Sequence, residues 1–323
     1  MKTSISMAIA ALVLGSAGVA QAQDTASYPN KPIRFVVGFT AGGGNDIIAR
    51  VYGQKLQESL GQPVVIENKP GAGAMVATEY VVRAEPDGYT VLVGASGAMA
   101  ISPAIYKKMN YDTLRDFAPV SILGSFPLVL IVNASSPYKT VADLVDFSKK
   151  NPDKMNYSSA SPSFQLATEM FKQKTGAQMQ MIPYKGTNDA VTAVIAGDVT
   201  ATIADAGPVS SQVKGGQARA LAVAAPNRLA DLPDVPTMKE AGADVEAVLW
   251  TGAFVPKATP PAIVKKLNDE FARIAKLPDV IDRLKQLNID AVGNGSAEFS
   301  KIIAEDIARW TEVVKAGNIQ MVQ

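Results

Sequence analysis

Two short stretches combine small residues with hydroxyls or an acid in a pattern that can grip a ligand. The first, Gly38 to Arg50, reads GFTAGGGNDIIAR, a glycine run between a strand-like and a helix-like segment. Glycines let the backbone turn tightly and approach a ligand, and the amides that open a helix present positive partial charge to an anion. A nucleotide phosphate loop would end in Gly-Lys-Ser/Thr, whereas Asn45-Asp46 stand there. A dinucleotide fingerprint fares no better, because its nearest match is Gly71-Ala72-Gly73 with Val at position 76. Asp46 complicates an anion site: it can cap the helix, hold a water or pair with a ligand ammonium, and all three remain open. A capped glycine turn without a ligand is the plain alternative.

The second stretch, NYSSASPSFQLATEMF from Asn156, places Ser158, Ser159, Ser161 and Ser163 ahead of an amphipathic helix. Helix capping alone explains such serines. Paired with the first stretch across a cleft, at the carboxyl ends of parallel strands, they form a shared anion site.

Catalytic chemistry has little to work with. The chain contains no histidine and no cysteine, which removes the commonest general base, the usual metal ligands, disulfides and every Ser-His or Cys-His device. No metal and no cofactor are expected. Ser136-Pro-Tyr-Lys139 and Lys174-Thr-Gly176 imitate β-lactamase motifs. Yet Lys139 precedes the helix that Thr140 caps, Lys174-Thr-Gly closes another helix, and no Ser-Asp-Asn occurs. Lys185, in PYKGTNDAV, reads as a solvated loop lysine. Phe39, Phe126, Trp250 and Phe254 fall near the expected chain crossings, where cleft wall and core are equally good explanations.

The elements around these stretches follow from periodicity. Met1-Lys2, an apolar run and Ala20-Gln21-Ala22 form the pattern of a secretory signal over residues 1–22, with no cysteine for a lipid tether. Without Lys2, basic and acidic residues balance, and no basic run appears, so nucleic acid is not an expected partner. IRFVVGF, PVVIEN and TVLVGAS read as strands separated by helices, a β-α-β-α-β unit with a parallel sheet. A second α/β round runs from MNYSSAS to ARALAV, and a mostly helical tail should pack back on the first unit. The chain then leaves the first lobe near residue 125 and returns near 251, giving lobe 1 as 28–125 plus 251–323 and lobe 2 as 126–250. A cleft between two such lobes is a natural ligand site.

The segments YPNKPIRFVVGFTAGGGNDIIAR, VVIENKPGAGAMVAT, PDGYTVLVG, SPYKTVADLVDFSKKNP, PYKGTNDAV and ARALAV, in this order, resemble the tripartite tricarboxylate transporter solute-binding family (Bug, or TctC-like). The resemblance implies an α/β, two-lobed type II periplasmic-binding-protein fold with two chain crossovers and the ligand in the interdomain cleft. It implies a periplasmic, non-enzymatic receptor that captures a small carboxylate (mono-, di- or tricarboxylate, aromatic or amino acid) for membrane permease subunits. Partnership with a membrane sensor kinase is the alternative, and a monomer is the default. Carried over by position, it puts Phe39, Thr40, Ala41, Gly42, Gly43 and Asp46 of the first loop at the ligand. Ser158, Ser159, Ala160 and Ser161 of the second turn join them, with Ser96 and Asp205 at two further strand ends. Gly38 stands where many members have proline, and Gln165 replaces a histidine in a shorter loop, so ligand identity does not transfer.

Overall fold

The computed structural model describes residues 27–319; the expected signal peptide and its cleavage site lie outside them. The first unit opens with β1 (Ile33–Val37), α1 (Gly44–Leu60), β2 (Val64–Asn68), α2 (Met75–Val82) and β3 (Thr90–Ala95). A π-helical turn over Gly97–Ile101 leads into α3 (Ser102–Ile105), followed by α4 (Thr113–Asp116) and the long β4 (Phe117–Asn133). The second unit comprises α5 (Val141–Lys150), β5 (Asn156–Ser159), α6 (Pro162–Thr175), β6 (Gln180–Pro183), α7 (Thr187–Ala196), β7 (Ala201–Asp205), α8 (Ala206–Lys214) and β8 (Ala218–Val223). The chain returns through β9 (Val248–Pro256) and ends in α9 (Pro261–Ile274), α10 (Pro278–Lys285), β10 (Asp290–Ala291) and α11 (Ser296–Ala316).

Strand order is β2-β1-β3-β9-β4-β7-β5-β6, with β8 and β10 also on β4. The β1–β2, β1–β3, β5–β6 and β5–β7 pairs are parallel, as alternating strands and helices require. Strands β4 and β9 run antiparallel to one another and carry the chain between the lobes. From Phe117 to Pro127, β4 pairs with β9; from Leu128 onward it pairs with β7 and β8. The register shifts beside Pro119, where proline has no N–H to give to a ladder.

Apolar runs set the core. Ile33, Phe35, Val36 and Val37 of β1 are fully buried because helices cover both faces of the parallel sheet. Trp250, Phe254 and Phe299 stack with ring centroids 5.0–6.1 Å apart behind the crossing strands. The helical tail packs on the first unit, as expected, and also reaches the second. Helix α9 packs on α1 and β4 and α11 on α3, the π-helical turn and β4, while α11 also touches α6 of the second unit. Gln173 Nε2 donates to Val313 O at 2.9 Å across that contact. Twenty-one residues span about 30 Å, and the buried stripe Phe299, Ile303, Trp310 and Val314 outruns the face of one lobe.

Candidate functional site

The glycine loop is built by two close approaches. Gly38 lies under the turn that precedes α2: a Cβ there would meet Ala74 Cβ at 2.3 Å and its Cα at 2.7 Å, so only glycine lets the two loops stack. Gly42, at φ +88°, then turns the chain into α1 through Gly43 as N-cap.

Asp46, 1% exposed, is fully engaged inside this unit. Its Oδ2 accepts from Gly42 N–H at 2.9 Å and Arg50 Nε at 2.8 Å, and its Oδ1 from Arg50 Nη2 at 3.1 Å. Asn68 Nδ2 reaches both Asp46 Oδ1 and Phe39 O at 2.9 Å, tying the end of β2 to the loop. Burial pushes this carboxyl up, but the hydrogen bonds from Arg50, Gly42 and Asn68 outweigh it and hold it below the usual carboxylate range. Of the roles open to Asp46, the geometry realises a loop clasp: it fastens the backbone ahead of α1 and takes no place on the cleft wall.

The second-lobe turn divides in the same way. Ser158 Oγ donates to Ala190 O and Ser159 Oγ to Ser161 O, both at 2.9 Å, so these buried hydroxyls spend their protons within their own lobe. Ser161 caps α6, its Oγ accepting from Phe164 N–H at 3.4 Å. Ser96, at the end of β3, accepts from Trp250 N–H at 3.2 Å. Asp205 ends β7 and stands at the N-cap of α8, yet its side chain makes no capping bond.

Between the lobes lies a cavity of about 550 Å³. Of the expected residues, Phe39, Ser96, Ala160, Ser161 and Asp205 line it. Thr40, Ala41, Gly42 and Gly43 form the exposed loop beside its lining residues Phe39, Gly44 and Asn45, while Asp46, Ser158 and Ser159 lie behind the wall. Phe126 and Trp250 also face the cavity, whereas Phe254 is core. Lys185 is exposed and off the wall, although Gly186 and Thr187, which open α7, are on it.

Sequence reasoning passed over the segment from Gly97 to Tyr106, whose Gly97, Ile101, Ser102, Ile105 and Tyr106 all reach the cavity. Its signal was there: a run of small residues directly after a strand end, as in the two stretches that stood out. A Cβ added to Gly97 would lie 3.5 Å from Ser163 Oγ, so the turns of the two lobes meet across the cleft.

Electrostatically, the cavity is unusual in having no lysine or arginine on its wall. Its lining brings together hydroxyls and the residues that open α1, α6 and α7, helices of 17, 14 and 10 residues. Among the described residues no cluster of three potential metal ligands exists. Two larger depressions, about 1040 Å³ behind the crossing strands and about 910 Å³ on the flank of the first lobe, lack this convergence of helix starts.

Residues 48–319 match the model of the tripartite tricarboxylate transporter family receptor. The chain belongs to that family. This receptor is 34% identical to protein BugT of Bordetella pertussis over 313 residues, 96% of each chain. It shares a TM-score of 0.79 and 31% identity with R. palustris Rpa4515, solved with adipate, covering 91% of this chain and 99% of that one. MatC of Rhodopseudomonas palustris, solved with bound malate, gives 0.75 and 30% over 89% and 100% of the two chains. The fold is the two-lobed one of periplasmic binding proteins, and the receptor is a binding protein rather than an enzyme. No described helix is long and apolar enough to cross a membrane.

Proposed function

We propose that this receptor works in the periplasm, where it captures a small carboxylate in the cleft and presents it to the membrane subunits of a tripartite tricarboxylate-type transporter. The observation that carries this reading is the convergence of three helix N-termini and several hydroxyls on a cavity without a cation. Such dipoles hold a carboxylate by directed hydrogen bonds and release it more readily than a buried arginine would. Relatives solved with adipate and malate support the same chemistry.

In this reading Ser96, Ser161 and the amide groups around Ala160 and Gly44 meet the ligand, and Phe39 covers it. The Thr40–Gly43 loop moves onto it as the lobes close, so the closed form gains contacts that the open form lacks. Asp46, Ser158 and Ser159 hold the two loops in shape. The lobe limits at 125/126 and 250/251 belong to the proposal, supported by the change of partner along β4 at Leu128. The receptor acts as a monomer.

A thermal-shift screen over mono-, di- and tricarboxylates tests it. A ligand present at a hundred times its Kd stabilises the folded state by about 2.7 kcal/mol, an easily read rise in Tm. Absence of any concentration-dependent rise across the panel refutes the reading.

A further inference from the structure

Asp205 is the one charged side chain on the cavity wall, and it has no partner. Among the described residues none donates a hydrogen bond to its carboxylate or forms an ion pair with it, and it does not cap the helix it precedes. A carboxylate in that position is unfavourable unless a cation or donor meets it. The elements packed on β7 do not supply one. Tyr157 of β5 donates to Glu169 of α6, which also pairs with Lys172. Lys174 of α6 lies 4.0 Å from Asp244, and Lys214 of α8 pairs with Asp231. Asp189 of α7 is exposed, β4 and β9 carry no charged residue, and among the described residues no hydrogen bond or ion pair joins Tyr184, Lys185 or the cavity-lining Tyr106 to the group. Burial alone pushes Asp205 up, to about 6.

Its neighbours on the wall say what the missing cation is attached to. Ser161, the cap of α6 just past the end of β5, lines the same cavity, and β5 is the parallel neighbour of β7. A negative-seeking group and a positive-seeking group therefore share one cavity wall, beyond the ends of two paired strands. Between the hydroxyls the wall carries large apolar side chains: Ile101, Ile105, Phe126, Phe164, Leu249 and Trp250.

We infer that the ligand is an α-amino acid with an apolar side chain, its carboxylate on the donors that open α6 and its ammonium on Asp205. One tetrahedral carbon carries both charges of such a ligand, and its third substituent meets the apolar residues of the wall. The zwitterion brings no net charge into a cleft that has no cation to balance one. A plain carboxylate on the same donors would face Asp205 with like charge. The inference rests on the carboxylate-receptor reading above and narrows it.

Calorimetric titration of the full receptor with matched acids tests it: phenylalanine, phenyllactate and phenylpropanoate, then leucine and its hydroxy and deamino counterparts. The amino acid should bind tightest, and its affinity should rise as pH climbs from about 5 to about 8 and Asp205 ionises. Asp205→Asn should weaken it about 10- to 100-fold, the loss of one hydrogen bond between charged groups, while phenylpropanoate binding persists and reports an intact site. Hydroxy or deamino acids that bind as tightly, an affinity that falls with rising pH, or an unchanged preference in Asp205→Asn each overturn the inference and leave the carboxylate reading standing. Silence from every acid in this set and in the wider panel overturns both.

Discussion

An ionised carboxylate without a partner weighs against the empty fold, and Asp205→Asn removes the charge while keeping the shape. Burial raises the Asp205 carboxyl from its ordinary 3.8 to about 6, so the native state holds this proton more firmly than the unfolded chain. Where the native state binds more protons, stability falls as pH rises. Asp205 thus leaves stability untouched below about pH 4, lowers it progressively to about pH 6, and lowers it by a constant amount above that. Two pH units correspond to about 3 kcal/mol, a ceiling because the side chain is partly open to the cleft. For a chain of this size each kcal/mol shifts Tm by about 2 °C. Asparagine at 205 should therefore raise the Tm of the ligand-free receptor by about 2–6 °C near pH 8, and the gain should fade towards about pH 4. Differential scanning calorimetry of both proteins at the two pH values reads the effect. A variant no more stable than wild type at alkaline pH, or a gain that persists in acid, refutes the argument that the carboxylate is desolvated and unpaired.

Asp46→Asn should lower stability by about 2–3 kcal/mol in urea unfolding, because a buried carboxylate with four hydrogen bonds, two from Arg50, loses its charge. The Asp46 carboxyl lies below its ordinary value, so its contribution is present above about pH 4 and disappears as pH drops through the lowered pKa; the variant should show a flatter acid limb. Gly252→Ala should destabilise by about 1–3 kcal/mol in the same assay, since its methyl would fall 2.3 Å from Phe299 Cζ, a fully buried ring with Trp250 and Phe254 on either side.

The β/α succession was readable because parallel strands buried on both faces become continuous apolar runs such as IRFVV and TVLVGA. Both loop-helix turns were visible as clusters of small residues at strand ends. What those clusters could not disclose is direction. Ser158, Ser159 and Ser161 are equivalent by type, yet the first two turn their hydroxyls into the lobe and only the third reaches the wall. The segment from Gly97 to Tyr106 escaped because a π turn and a four-residue helix are too short to show a period. The added contact of α11 with α6 escaped for the opposite reason: its period is clear, but periodicity shows only that a stripe is buried, and both lobes can bury it.

The two acids at the helix starts explain each other. Asp46 follows β1 by one loop and Asp205 ends β7, each at a turn whose amides favour anions. Asp46 presents no negative charge to the cleft, since Arg50 neutralises it and Gly42 and Asn68 occupy its oxygens; what remains is a loop fastened to the start of α1. Asp205 has nothing comparable, and its carboxyl is pushed in the opposite direction. Carboxyl groups whose surroundings drive them apart in this way mark different tasks, one completed within the fold and one awaiting a partner. A ligand group that neutralises Asp205 therefore removes the cost of that unpaired charge and favours the filled cleft over the empty one.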